Sequence, residues 1–310
     1  MGKIAYIFPG QGAQKAGMGQ DFYENSPISK AVFEKAGELL GFSMEALCFE
    51  ENDRLDITEY TQAAMVTTST AMLRELQKRG FVPDVTAGLS LGEYCALVCC
   101  GAMSFEDAVQ VVRQRGILMQ EAVPAGQGGM AAVMGLSAEA IEQVLNHIPG
   151  VQIANYNCPG QIVISGEKKA VDTAAAALKD AKAKRVVPLN VSGPFHSEML
   201  KEAGSRLGQT LASVAVFEHE IPYVTNVTAS YVGGTDKIKE LLIRQVSSSV
   251  RWQQSVEAMI ADGVTHFVEI GPGRTLASFV KKIYRDAAVY NVEKWEQLDG
   301  LQDFYRQAGK

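Results

Sequence analysis

Residues 85–100 read "VTAGLSLGEYCALVCC". The short run VTAGL gives way, at a serine, to an apolar segment of helical character. Gly88 and Gly92 stand two residues either side of Ser90. A strand, a G-x-S-x-G turn and a helix together make the setting of a nucleophile elbow. In so sharp a bend the two glycines remove side chains that would hold strand and helix apart. Ser90 is then pushed outward at the helix N-terminus, where the helix dipole and free N–H groups gather. The alternative is that Ser90 caps the helix, with Glu93 completing a capping box. A cap explains Ser90 and Glu93 but gives no reason for paired glycines around a serine.

Working outward, the opening "KIAYIF" (3–8) is a buried strand stopped by the glycine-rich "PGQGAQKAGMG". Helical patterns follow at 27–41 and 58–79, and after the second strand at 91–101 and 104–122. This alternation predicts an α/β core with parallel strands, of the α/β-hydrolase-like kind. Residues 128–189 change character. Strand patterns at "GGMAAVMG", "VQIANYN", "QIVISG" and "KRVVPLN", with helices at 137–147 and 167–181, give the order βαββαβ. That order is the ferredoxin-like pattern. It reads as an insertion, so 1–126 and 192–310 are expected to form a large catalytic domain and 127–191 a smaller α+β subdomain, with a cleft between. Helical patterns resume at 197–213, 235–246 and 250–262. The strand "THFVEI" (265–270) then leads through "GPGR" to a last helix from about 275.

At 310 residues and 47% hydrophobic content the chain can bury a sizeable core. Its net charge of −6 is dispersed, which argues against nucleic acid and against a membrane surface. No apolar stretch approaches the ~20 residues of a bilayer span. The N-terminus lacks a hydrophobic signal core, so a cytoplasmic protein is expected. The five cysteines, Cys48, Cys95, Cys99, Cys100 and Cys158, have no CxxC spacing and read as buried thiols, not as a disulfide framework or a metal site.

A serine hydroxyl needs a base, and histidine is the usual one near neutral pH. Of four histidines, His147 ends a helix, His219 sits among acids and His266 opens a strand. His196, in "LNVSGPFHSEML", lies in a Gly-Pro loop just before a helix and is the expected base. No acid adjoins it, so a dyad whose imidazole is held by a backbone carbonyl is at least as well supported as a triad. For the oxyanion, Leu91 supplies one N–H as the residue after the nucleophile. Gln11, between Gly10 and Gly12, is a candidate for the second. A dinucleotide site in this loop fails on spacing, because Lys15 stands where G-x-G-x-x-G needs glycine. Read from the residues alone, Arg115 is a surface charge.

"FPGQGAQ" (8–14), "TQAA" (61–64), "GLSLGEY" (88–94), "RQRGILMQ" (113–120), "NYNCPGQIVISG" (155–166), "GPFH" (193–196), "RQVSSSVRW" (244–252) and "EIGPG" (269–273) together resemble, in order, the motifs of the malonyl-CoA:acyl carrier protein transacylases. The resemblance covers nearly the whole chain. It implies malonyl transfer from malonyl-CoA to an acyl carrier protein through a malonyl-serine intermediate at Ser90, supplying fatty acid synthesis, with polyketide synthesis the alternative pathway. It implies His196 as base, its imidazole held by the Gln245 carbonyl, and oxyanion donors at Gln11 and Leu91. It further implies that Arg115 meets the malonyl carboxylate, with Gln62, Asn155, Asn157 and Phe195 also in the substrate site. No metal or redox cofactor is implied. The carrier is expected to be acidic and so to need a local basic patch. Lys281, Lys282 and Arg285 in the C-terminal helix, or Lys182, Lys184 and Arg185 in the insertion, are candidates. A monomer is the default expectation. Leu89 departs from the histidine many members carry before the nucleophile. A hydrolase and a noncatalytic acyl-binding module are the rival readings.

Overall fold

The computed structural model describes residues 2–191 and 193–310. Residue 192, where the large domain is expected to resume, lies outside them. Among the described residues the strands are β1 (Lys3–Phe8), β2 (Val85–Gly88), β3 (Gly128–Met134), β4 (Val151–Cys158), β5 (Gln161–Glu167), β6 (Arg185–Pro188), β7 (Tyr223–Val224), β8 (Val264–Ile270) and β9 (Ala288–Val292).

Five of these form one parallel sheet in the order β7-β2-β1-β8-β9. β1 and β2 are apolar on both faces, as a sheet covered by helices on each side requires, and apart from Lys3 their residues are buried. Helix Thr58–Lys78 is buried almost all round despite its threonines, because hydroxyls such as Thr67 Oγ1 donate back to a carbonyl one turn earlier. Helix Phe105–Glu121 packs across it at Gly116. A Cβ there would lie 2.5 Å from the Glu59 Cα, so only glycine permits the approach that brings Arg115 beside Gln62.

The other four strands form an antiparallel sheet in the order β4-β5-β3-β6. With helices Ala138–Leu145 and Lys168–Asp180 this is the ferredoxin-like βαββαβ arrangement. It has its own core, which includes Val133, Ile141, Ile153, Ile164, Val171 and Leu178. The two sheets are stitched together by residues 249–251. Val250 bridges Asn155 on β4, Ser249 Oγ donates to the Ile153 carbonyl, and the Arg251 N–H donates to the Asn226 carbonyl.

The chain end differs from the sequence expectation. Helix Thr275–Ile283 is not the last element: β9 and helix Leu301–Gln307 follow. β9 is an edge strand buried fully only at Val292, so its sequence carries little apolar alternation. The final helix buries Leu301, Phe304 and Tyr305 alone. Tyr305 docks it to the sheet through a 2.6 Å hydrogen bond with Tyr6. Short helices Gln20–Asn25 and Met44–Phe49, and the two-residue β7, also had no sequence signal of their own.

Candidate active site

β2 ends at Gly88 and helix Gly92–Cys100 begins four residues later. Ser90 between them has φ +52°, a left-handed conformation that costs a non-glycine residue roughly 1–2 kcal/mol. The glycines allow the bend. A Cβ on Gly88 would fall 1.9 Å from the Gly92 carbonyl oxygen, and one on Gly92 would fall 2.2 Å from that of Phe8. The capping-box alternative fails here. The Glu93 carboxylate accepts from the Asn226 N–H and from Gln245 Nε2, and the Ser90 hydroxyl faces a histidine and an arginine.

Ser90 Oγ lies 2.8 Å from His196 Nε2, and His196 Nδ1 lies 2.8 Å from the Gln245 carbonyl oxygen. A carbonyl can only accept, which fixes the imidazole proton on Nδ1 and leaves Nε2 free to accept from the serine. The third place of a triad is held by this carbonyl, and among the described residues no carboxylate bonds the imidazole. His196 is 3% exposed. Burial first, and the charge of Arg115 second, push its pKa down to about 3 against the Gln245 carbonyl, which pulls it up. The imidazole is therefore neutral at physiological pH, the form a general base requires.

Arg115 is 1% exposed, which overturns its reading as a surface charge. Nη1 donates to Gln62 Oε1 at 2.7 Å, and Nη2 donates to Gln245 Oε1 at 3.0 Å and to Ser90 Oγ at 3.1 Å. Its Nε is buried with no hydrogen-bond partner among the described residues. A buried cation with an unused N–H beside a nucleophile is a site for an anionic group.

Leu91 opens the helix after Ser90, so its N–H is among those that helix geometry leaves without an intrahelical acceptor. The Gln11 loop is drawn against the elbow. A Cβ on Gly10 would lie 2.7 Å from the Leu89 carbonyl oxygen. Asn155 and Asn157 sit on β4, both nearly buried, and Asn157 Oδ1 has no partner among the described residues. Phe195 is buried in the main core immediately before His196. The structure thus brings Ser90, His196, Gln245, Arg115 and Gln62 into one hydrogen-bonded group. Phe195 adjoins the group as the chain neighbour of His196, whereas Asn155 and Asn157 are buried on β4, Asn155 bridging Val250, with no hydrogen bond to the group's side chains among the described residues.

Sequence reasoning missed three contributors. Asn226, in the loop after β7, holds the elbow from both sides. Glu93 is a fully buried carboxylate, and the Gln245 side chain joins it to Arg115. Their signal is tertiary. β7 is too short for periodicity, and nothing in "TNVTAS" (225–230) indicates that it reaches residue 90. The other histidines lie elsewhere: His266 Nδ1 meets Thr265, and His219 packs near Tyr223. Among the described residues no group of three or more His, Cys, Asp or Glu could hold a metal ion, and no helix is long and apolar enough to cross a membrane.

Residues 5–302 match the family described as the acyl transferase domain. The chain is 48% identical over 304 residues to the malonyl CoA-acyl carrier protein transacylase of Bacillus subtilis (strain 168), covering 96% of each. The crystal structure of malonyl CoA-acyl carrier protein transacylase from Clostridium perfringens superposes with a TM-score of 0.95 at 42% identity, covering 98% of both chains. A malonyl-transacylase solved in complex with its type II polyketide synthase acyl-carrier protein gives 0.94 at 38% identity, covering 97% of this chain and 99% of that one.

Proposed function

This chain belongs to the acyl transferase domain family, and on that footing we propose that it transfers the malonyl group of malonyl-CoA to the pantetheine thiol of an acyl carrier protein, supplying fatty acid synthesis. The observation that carries the mechanism is the chain of contacts from Ser90 Oγ through the His196 imidazole to the Gln245 carbonyl.

Ser90 Oγ attacks the thioester carbon while its proton passes to His196 Nε2. The negative charge on the carbonyl oxygen is met by the N–H groups of Leu91 and Gln11. Collapse of this intermediate breaks the carbon–sulfur bond. CoA leaves as the thiol, taking the proton from His196, and a malonyl ester remains on Ser90. The carrier's thiol then gives its proton to Nε2 and attacks the ester. Ser90 Oγ departs with that proton, and the cycle closes without a net change in the enzyme. Every proton and electron pair is accounted for by the two substrates and one imidazole, so the chemistry requires no metal or redox group.

Arg115 selects the acyl group. Its unused Nε and the neighbouring Nη2 form a fork beside Ser90 Oγ, suited to the two oxygens of the malonyl carboxylate. Asn157 Oδ1 is a candidate acceptor for a donor on the incoming thioester arm.

The carrier docks on a basic surface that spans both lobes. Lys281, Lys282 and Arg285 on one lobe and Lys182, Lys184 and Arg185 on the other are all exposed. They are neighbours through the β4–β5 turn: Lys282 Nζ donates to Gln161, the Gly135 N–H donates to the Gly160 carbonyl, and the Lys184 side chain lies over Gly135. The two candidate clusters therefore approach each other at this turn through Lys282 and Lys184. Arg285 lies just beyond the end of helix Thr275–Ile283, not within a C-terminal helix.

Incubation with malonyl-CoA, followed by peptide mapping, is expected to find the malonyl mass on the peptide containing Ser90, and carrier is expected to remove it. Label confined to other residues would refute the assignment.

A further inference from the structure

One fully buried amide outside the reacting groups grips the elbow on both sides of the nucleophile. Asn226 Oδ1 accepts from the Ser90 N–H at 2.6 Å, and Asn226 Nδ2 donates to the Gly88 carbonyl at 2.6 Å. Its own N–H donates to Glu93 Oε2 at 3.1 Å. Its carbonyl accepts from the Arg251 N–H. Asn226 therefore spans the bend, while its main chain is pinned to the elbow helix on one side and to the segment joining the two sheets on the other.

We propose that Asn226 is a positioning residue for the nucleophile, holding Ser90 in its left-handed conformation so that Oγ points at His196, with Glu93 as the anchor of that clamp. The inference rests on Ser90 being the acyl acceptor. A strained φ persists only where the surroundings over-determine it, and Asn226 fastens the backbone at residue 88 and at residue 90. Because its N–H is already taken, Ser90 cannot also donate to the oxyanion, which leaves that task to Leu91 and Gln11. Glu93 Oε2 also accepts from Gln245 Nε2, which in turn reaches the Ser90 carbonyl, and the Gln245 carbonyl holds His196. Serine and imidazole thus hang from the same buried carboxylate. The geometry is specific to an amide. Aspartate would keep the acceptor for Ser90 and lose the donor for Gly88, and leucine would fill the same space and lose both.

The test is the single-turnover rate of Ser90 malonylation, followed by quench and mass measurement, in the wild type, Asn226→Asp and Asn226→Leu. Displacing a reacting atom by about 1 Å can cost 100-fold. The expected result is an acylation rate down about 100-fold in Asn226→Leu and about 10-fold in Asn226→Asp, with the half-saturating malonyl-CoA concentration within about threefold of wild type. The latter should hold because the Arg115 contacts to Gln62 and Gln245 are untouched. A merely structural role would lower the labelled fraction and leave the rate of that fraction unchanged. The proposal is overturned if folded Asn226→Asp, and Asn226→Leu where it folds, acylate within about threefold of the wild-type rate. It is also overturned if half-saturation rises in step with the lost rate. A wild type labelled away from Ser90 would instead defeat the transfer mechanism itself, and this inference with it.

Discussion

Arg115 Nη2 donates to Ser90 Oγ at 3.1 Å, so the cation expected to bind the acyl carboxylate already touches the nucleophile before any substrate arrives. Removing it separates the two tasks. In Arg115→Ala, kcat/KM for malonyl-CoA is expected to fall by roughly 100- to 1,000-fold or more, in line with about 3–5 kcal/mol for an unpaired buried charge. The rate with acetyl-CoA, which has no carboxylate to pair, is expected to change far less. Parallel losses for both thioesters would show that Arg115 serves the serine and not the substrate.

The same charge tunes the base. His196, pushed down to about 3, stays neutral through the physiological range, so the acylation rate of the free enzyme is expected to show no acid limb near 6.5. In Arg115→Ala that limb is expected to move up but to stay below 6.5, because burial, the larger cause, remains when the cation that also disfavours imidazolium is gone. A wild-type limb at 6–7 in kcat/KM would contradict this.

Stability should follow the same titration. The unfolded imidazole takes up a proton near 6.5 and the native one only near 3, so the unfolded state binds more protons in that window. The His196 contribution is complete above about 6.5 and is lost as pH falls through the window toward 3. Urea melts at pH 7.5 and pH 5 are expected to differ more for wild type than for His196→Gln. Equal differences would rule out a depressed native pKa.

Glycine is required at both ends of the elbow. Gly92→Ala places a Cβ against the Phe8 carbonyl, and its cost is expected at or above the roughly 1–3 kcal/mol typical of overpacking. Denaturant midpoints measure this, and a shift below ~0.5 kcal/mol would mean that β1 and the elbow helix can separate.

Charge reversal on the surface around the β4–β5 turn tests the carrier. Lys282→Glu and Lys184→Glu are each expected to lower kcat/KM for the carrier several-fold at low salt, with less effect at high salt, and to leave malonylation of Ser90 by malonyl-CoA unchanged. Unaltered transfer at low salt would place the docking surface elsewhere.

Much of this was legible in the chain itself. The paired glycines around Ser90 implied a contact too close for a side chain, and βαββαβ order marked the small sheet. His196 was identified by its loop and by elimination. Arg115 stood out only through the family resemblance, because a lone arginine on a helix does not show whether its face is buried, and burial here depends on how closely that helix packs on another at Gly116. Asn226 and the clustered acceptor on Glu93 were equally silent, since their meaning depends on contacts across more than a hundred residues. The last strand and helix escaped because an exposed edge strand and a seven-residue helix have too few buried positions to show a period.

Residues 245–250 run from the carbonyl that orients the imidazole to the bridge on β4. Six residues of backbone therefore join the small sheet to the carbonyl that holds the imidazole. A substitution that loosens the Val250 bridge to Asn155 is therefore expected to disturb the alignment of the imidazole with the serine as well as the seat of the small sheet.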